Sequence, residues 1–386
     1  MPFAPVAIVL PPNEGFTQGA TGAVGLIVQR LAAAGQSGVY APAVIGMAGG
    51  GTPFPDAPFV PVTPRFLPPG RLARRYAAAV ARLLRPDRPA LIEVHNRPDI
   101  AGFLADWLAP TPVSLFLNND PLGMRSARKP AQRARLLQKL AAVVTSSGFL
   151  RDRFLQDLPP ANITVLPNPI DLVSLPPALP LQNRENVILF AGRVVADKGA
   201  DIFVAACARA LKQLPDWRAE IIGADRFTPG GADTPFMRAL RPRAEAAGVR
   251  MLGYHKHETV LQSLSRAAIG VVPSRWSEPF GLVALETMAC GAALVCSGRG
   301  GLKEVVGDAA VIIDPDDPDG IAAAILGLAR DPTRRAEVAR AGMERARRFD
   351  LPLVSIALEG LRERILSAKW SAAATRPISG AKLKPD

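Results

Sequence analysis

In the stretch SEPFGLVALETMACG, which begins at Ser277, Glu278 and Glu286 stand with seven residues between them. The apolar run Ile269–Val272 just upstream reads as a strand, and a helix is expected from about Leu282. Glu278 then lies in the turn and Glu286 a turn deeper on the helix. The amides of Phe280, Gly281 and Leu282 would be helix-start donors without intrahelical acceptors, which suits an anion or sugar hydroxyls. Gly281 lets the backbone approach a ligand closely. Glu278 can accept two hydroxyl hydrogen bonds, and Glu286 can do the same for a vicinal diol. Both glutamates could also do no more than favour a helix N-terminus. A second stretch, AGRVVADKGADIFVAA from Ala191, follows a strand-like run and puts Arg193 and Lys198 in the loop before the next helix. Two cations at a strand end make a diphosphate site, the arginine binding bidentately and the lysine as a point charge. The plainer alternative is a surface pair of Lys198 with Asp197 or Asp201.

Other polar clusters carry less. Residues 313–320, IDPDDPDG, contain Asp-Pro-Asp twice and superficially resemble an acidic metal-binding pair. Pro315 and Pro318 read as turn punctuation and Asp319 as the cap of a helix over 321–328, so no metal site is expected there. His255 and His257 lack a third ligand and read as loop residues. Cys207, Cys290 and Cys296 form no CxxC pair, so neither a disulfide framework nor a zinc site is expected, and a reducing cytoplasm fits. His95 closes an apolar run and either serves a cleft or caps the helix expected near Pro98.

Elements that would hold these residues alternate in two successive blocks of the 386-residue chain, a length that implies two domains. Strand-like runs are expected at 6–10, 90–94, 113–117, 142–145 and 163–166. Helical segments are expected at 22–34, 69–84, 100–108, 131–140 and 148–155 between them. After a proline-rich linker at 172–186 the alternation restarts. Strands follow at 187–190, 219–222, 249–251, 269–272, 293–296 and 310–313, and helices near 200–214, 237–247, 258–266, 282–289 and 320–328. Near-continuous apolar strands separated by helices indicate parallel sheets covered on both faces. The fold class is therefore α/β, with two Rossmann-like, doubly wound parallel-sheet domains at 1–171 and 187–350, whose strand ends face each other across a cleft. A C-terminal helix over 351–369, apolar at Leu353, Ile356, Ala357, Leu361 and Ile365, is expected to pack back on the body. A disordered tail is expected at 370–386. No apolar stretch is long enough to cross a membrane, and the start of the chain lacks the basic residues and apolar length of a secretory leader.

The formal charge of +12 favours an anionic partner. Arg65, Arg71, Arg74, Arg75, Arg82, Arg85 and Arg88 are opposed within their span only by Asp87. Arg125, Arg128, Lys129, Arg133, Arg135 and Lys139 form a second group free of acids. These are either solvated helix faces or a surface for an anionic membrane or acceptor. With aromatics at 6% and no basic stripe interleaved with stacking aromatics, nucleic acid is not an expected partner.

From Val187 to Leu328 the chain resembles the large family of retaining GT-B glycosyltransferases, group 1 or family 4, that includes bacterial lipopolysaccharide and cell-envelope enzymes and sucrose synthase. The resemblance is carried by GRVVADKG, by the run from Arg250 to Ser297 around SEPFGLVALETMACG, and by GGLKEVVGDAAVIIDPDDPDG. It implies that Arg193 and Lys198 hold a donor diphosphate, Glu278 and the Phe280, Gly281 and Leu282 amides the donor sugar, and Glu286 the ribose, with Gly253, Tyr254 and His255 beside the base. The N-terminal half resembles the family more loosely, through VHNRPDIAGFL, LFLNNDPLGMRSARK and VLPNPIDL. Where the family often has paired glycines before the first helix, this chain has Gln18 and Gly19. Where many members have a sugar-contacting histidine, it has Asn118. The resemblance implies metal-independent, retaining transfer of a sugar from a nucleotide-sugar donor to a saccharide or lipid-linked envelope acceptor, with no cofactor and no covalent nucleophile. A nucleotide-sugar epimerase of the same fold and a non-catalytic envelope or coat component are the alternatives. Peripheral attachment to the inner face of the cell membrane would fit the basic N-terminal helices.

Overall fold

A computed structural model describes residues 4–18, 21–64, 72–177, 179–225 and 233–374. Seven strands form the first sheet: β1 (Val6–Val9), β2 (Pro42–Met47), β3 (Phe59–Val62), β4 (Leu91–His95), β5 (Val113–Leu117), β6 (Ala142–Thr145) and β7 (Thr164–Val165). All pair in parallel, in the order β3-β2-β1-β4-β5-β6-β7. The crossovers carry α1 (Ala23–Ala34), α2 (Leu72–Leu84), α3 (Pro98–Trp107), α4 (Pro130–Lys139) and α5 (Gly148–Leu155). The second sheet has β8 (Glu185–Ala191), β9 (Arg218–Ile222), β10 (Val249–Gly253), β11 (Ala267–Val272), β12 (Ala293–Cys296) and β13 (Val311–Ile312), parallel in the order β10-β9-β8-β11-β12-β13. Its helices are α6 (Ala200–Ala210), α7 (Pro235–Ala246), α8 (His257–Arg266), α9 (Leu282–Ala289), α10 (Leu302–Val306), α11 (Pro318–Arg330) and α12 (Pro332–Ala346). The last helix is α13 (Leu351–Ala374). Strands β1, β4, β5 and β12 are buried at every position, as apolar runs covered on both faces must be. Strand order reverses between β1 and β4 and again between β8 and β11. At such switch points the two connections leave in opposite directions and open a crevice beyond the carboxyl ends of the strands.

Strands β2 and β3 were not expected. β2 opens on Pro42 and contains Gly46, and β3 is an edge strand containing Pro61, so local chemistry reads as loop. Parallel pairing to β1 and then to β2 makes them strands. Helices α10 and α12 were also missed. α12 buries only Ala339, Gly342 and Ala346, a narrow stripe that hydrophobic periodicity does not show. Asp317, not Asp319, caps α11, accepting the Asp319 amide at 3.0 Å.

The C-terminal helix runs to Ala374, past the end expected for it, and packs inward as expected through Leu361 and Ile365 but otherwise on a different face. Val354, Leu358 and Leu361 are buried against Ile27 and Leu31 of α1, whereas Leu353 and Ile356 are exposed. A buried ion pair accompanies that rotation. Arg362 Nε and Nη2 each donate at 2.9 Å to the Glu93 carboxylate in the middle of β4. In the second basic group Arg125, Arg128, Lys129 and Arg135 are exposed, but two members are committed within the fold. Arg133 is buried and donates to the carbonyls of Phe154, Ala127, Arg128 and Gln156, and Lys139 pairs with Asp106 at 2.5 Å.

Candidate active site

Loops after β8 and β11 meet because one carbonyl clasps them. Asp197 O accepts from the Arg275 amide at 2.9 Å, the Trp276 amide at 3.0 Å and Ser274 Oγ at 3.2 Å. Gly199 follows in the left-handed region, at φ 74°, and an added Cβ would lie 2.0 Å from Pro273 O, so only glycine permits this approach. The clasp delivers Lys198 to the second loop, where its Nζ sits 2.5 Å from Glu278 Oε1. Lys198 thus pairs with neither Asp197 nor Asp201, and Asp201 is taken by Arg275 at 2.7 Å. Arg193 is exposed in the same loop.

Gly281, at φ 107°, is the N-cap of α9, and a Cβ there would meet Leu302 at 2.6 Å. The amides of Gly281 and Leu282 are therefore first-turn donors with no acceptor within the helix. Phe280 anchors the turn from below, buried edge-on against Phe349 at 5.7 Å. Glu286, further along α9, is buried. His257 Nε2 donates to its Oε1 at 2.7 Å, and Arg30 Nη2 of α1 lies 3.7 Å from the same oxygen. Burial alone would raise the Glu286 carboxyl, but the His257 and Arg30 charges outweigh it and hold the group below the usual carboxylate range. His257 is accordingly not the loop residue expected of it. It opens α8 and faces the site. Tyr254 follows the end of β10, partly exposed, beyond Gly253 at φ 79°.

Across the crevice, His95 ends β4 and is fully buried, stacked on Phe116 of β5 with ring centroids 4.9 Å apart. Burial pushes its imidazole down to about 4, so it is neutral at pH 7. It does not cap α3, whose N-cap is Arg97. Asn96, at φ 52°, accepts the Asn118 amide on its side-chain oxygen at 2.7 Å and so joins the ends of β4 and β5. His95 and Asn118 line a notch with Ser146 and Asn168 that has room for about one water-sized group. The two sheets touch beside it. Ser147 Oγ donates to Pro279 O at 2.6 Å, and the Gly148 and Phe149 amides at the start of α5 donate to Glu304 at 2.7 and 2.6 Å. Among the described residues neither His95 nor Asn118 hydrogen-bonds to Glu278 or Glu286. Gly19 lies outside the described residues.

Asp314 and Asp316, in the Asp-Pro-Asp segment, face Arg299 and Arg275 at 3.4 and 2.9 Å, so their charge is met by guanidinium groups. No cluster of three or more acidic, histidine or cysteine ligands forms among the described residues. Sequence reasoning missed Arg30, His257, Asn96 and Ser147. Arg30 had a signal, being the only charged residue in AVGLIVQRLAAA.

Two doubly wound sheets with a cation and carboxylate pair at one switch point, facing a second switch point, define the GT-B architecture. Glycosyl transferases group 1 matches residues 174–345 and Glycosyltransferase Family 4 matches 19–174, so the chain belongs to this glycosyltransferase family. Over 228 residues it is 32% identical to the glycogen synthase of Mycobacterium tuberculosis, taking in 58% of this chain and 54% of that protein. It is 30% identical over 292 residues to the D-inositol 3-phosphate glycosyltransferase of Frankia alni, 72% of this chain and 68% of that one. The chain spans about half the length of the first of these relatives. In fold it resembles HepE of Anabaena in complex with UDP and glucose, with a TM-score of 0.73 at 19% identity over 92% of this chain and 98% of that one.

Proposed function

We propose that this chain transfers a sugar from a nucleoside diphosphate donor, with retention of anomeric configuration and without a metal ion, to a saccharide or lipid-linked acceptor of the cell envelope such as a lipopolysaccharide precursor. The observation that carries the reading is the Lys198–Glu278 contact at the start of α9, which unites two motifs 80 residues apart in sequence. The UDP and glucose held by HepE support a nucleotide-sugar donor. Lys198, Arg193 and the Gly281 and Leu282 amides face the charge that grows on the departing phosphate, where fixed donors lower the barrier most. Glu278 orients the sugar and Glu286 grips the ribose, with Tyr254 beside the base. The bond from the anomeric carbon to the diphosphate breaks, the bond to the acceptor oxygen forms, and the acceptor proton passes to the leaving phosphate. His95 and Asn118 line the opposite wall, and closure of the two sheets excludes water. The groove between α2 and α3, rimmed by Arg74, Arg82 and Arg85 around Phe103 and the exposed Trp107, supports attachment to the inner face of an anionic membrane.

Thermal unfolding with UDP-glucose, ADP-glucose and GDP-mannose tests the donor, since a ligand of the folded state alone raises the midpoint. The stabilising donor is then supplied with acceptor extracts, and NMR of the product reads the anomer. Stabilisation by no nucleotide sugar, or an inverted product, overturns the corresponding part of the reading.

A further inference from the structure

We infer that Arg30 and His257 are positioning residues for Glu286, and that Arg30, reaching over from the first sheet, makes the grip on the nucleotide conditional on closure of the two sheets. The inference rests on the reading of Glu286 as a nucleotide-binding group. Both side chains address one oxygen, Oε1, at 2.7 and 3.7 Å, which leaves Oε2 to a ligand hydroxyl. Arg30 is fixed at its other end, where Nη1 donates at 3.0 Å to Pro169 O in the crossover that leads out of the first sheet. His257 comes with α8 and stays beside Glu286 when the sheets part. Arg30 comes with α1 and leaves.

With Arg30 withdrawn Oε1 is held by His257 alone, so the carboxylate is less firmly oriented toward ribose hydroxyls, and where the charge of Arg30 is lost with the site still closed it is also more readily protonated. Opening therefore weakens the grip, and by linkage a nucleotide that needs the oriented carboxylate favours closure. Charged and titratable groups near the Glu286 carboxyl are His257 from α8, Arg30 from α1 and Cys290 on its own helix, with Arg184 beyond the thiol. α10 and α12 also pack on α9 and add no group to that set among the described residues.

Calorimetry with UDP, ADP and GDP between pH 4 and 8 tests this on the full chain. Arg30→Gln removes the charge, and Arg30→Lys keeps it. Unfolding midpoints confirm that each variant folds. For whichever diphosphate binds best, Arg30→Gln is expected to weaken affinity about five- to tenfold at pH 7, the low end for coupled sites. Its acid limb should move to higher pH, because Glu286 then gains a proton more readily, and Arg30→Lys should restore most of both. Glu286→Gln separates the two ideas. If it loses binding while Arg30→Gln keeps wild-type affinity and an unshifted acid limb, the inference falls and the nucleotide role of Glu286 stands. If Glu286→Gln binds like the wild type, or no diphosphate binds, that role fails and takes this inference with it.

Discussion

At the scale of single residues, depth along one turn and helix separates what Glu278 and Glu286 can do. Glu278 sits in the turn against Lys198, whereas Glu286 is buried along α9 against His257. Glu286→Ala is therefore expected to weaken bare nucleoside diphosphate and whole donor alike. Glu278→Ala should leave the diphosphate nearly as well bound while turnover drops on the order of a hundredfold, as when an oriented charge-stabilising group is lost. Calorimetry beside a turnover assay checks the split, and equal losses of diphosphate affinity would refute it. On the proposed reading Lys198 and Arg193 supply the positive charge, so transfer should persist in excess EDTA. Activity lost in EDTA and restored by Mg²⁺ or Mn²⁺ would overturn the metal-independent reading. His95 gives a pH prediction of known sign. Its folded value, about 4, lies below the unfolded one near 6.5, so its contribution to stability is complete above the unfolded value and drains away as pH falls toward 4. That contribution is on the order of 3 kcal/mol. Urea unfolding at pH 7 and pH 4.5 should show it, and His95→Gln should remove this part of the pH dependence.

At the scale of elements, α2 and α3 present a face whose chemistry differs from the rest of the first sheet's cover. Arg74, Arg82 and Arg85 surround Phe103 and Trp107, whose rings stack at 5.0 Å. Cations near an anionic bilayer contribute about 1 kcal/mol each, so several together give reversible attachment. Co-sedimentation with phosphatidylserine vesicles should be strong at low salt, fade as salt rises, and fall further in Arg82→Glu with Trp107→Ala. Equal binding to neutral vesicles, or none to anionic ones, would show an ordinary solvated face. The second basic group illustrates why composition could not settle this. Arg133 serves as a buried donor to four carbonyls, and nothing in its neighbours' identity distinguishes it from the solvated arginines around it.

Across the whole molecule, α13 returns from the second half of the chain to the first sheet, and there the Arg362–Glu93 pair has each side chain almost fully buried. Arg362→Met would strand the Glu93 carboxylate inside the sheet, at a cost of roughly 3–5 kcal/mol. Adding Glu93→Gln should recover a substantial part, because the uncompensated charge is then gone. Thermal unfolding of the single and double variants decides between this and a pair that matters only through packing, for which the second substitution would recover nothing.

The sequence by itself determined the two doubly wound sheets, because strands buried on both faces must be written as apolar runs and the helices between them as amphipathic ones. It also determined which polar residues stand at strand ends and in the turns before helices, since Arg193, Lys198 and Glu278 are placed by that alternation, with Glu286 further along the helix. Tertiary structure alone decided the rest. β2 and β3 are strands by pairing in spite of their prolines and glycine, and α13 took its inward face from Val354, Leu358 and Arg362. Above all, only folding could bring Lys198 to Glu278 and Arg30 to Glu286, since contacts between residues 80 and 256 positions apart leave no local period in the chain.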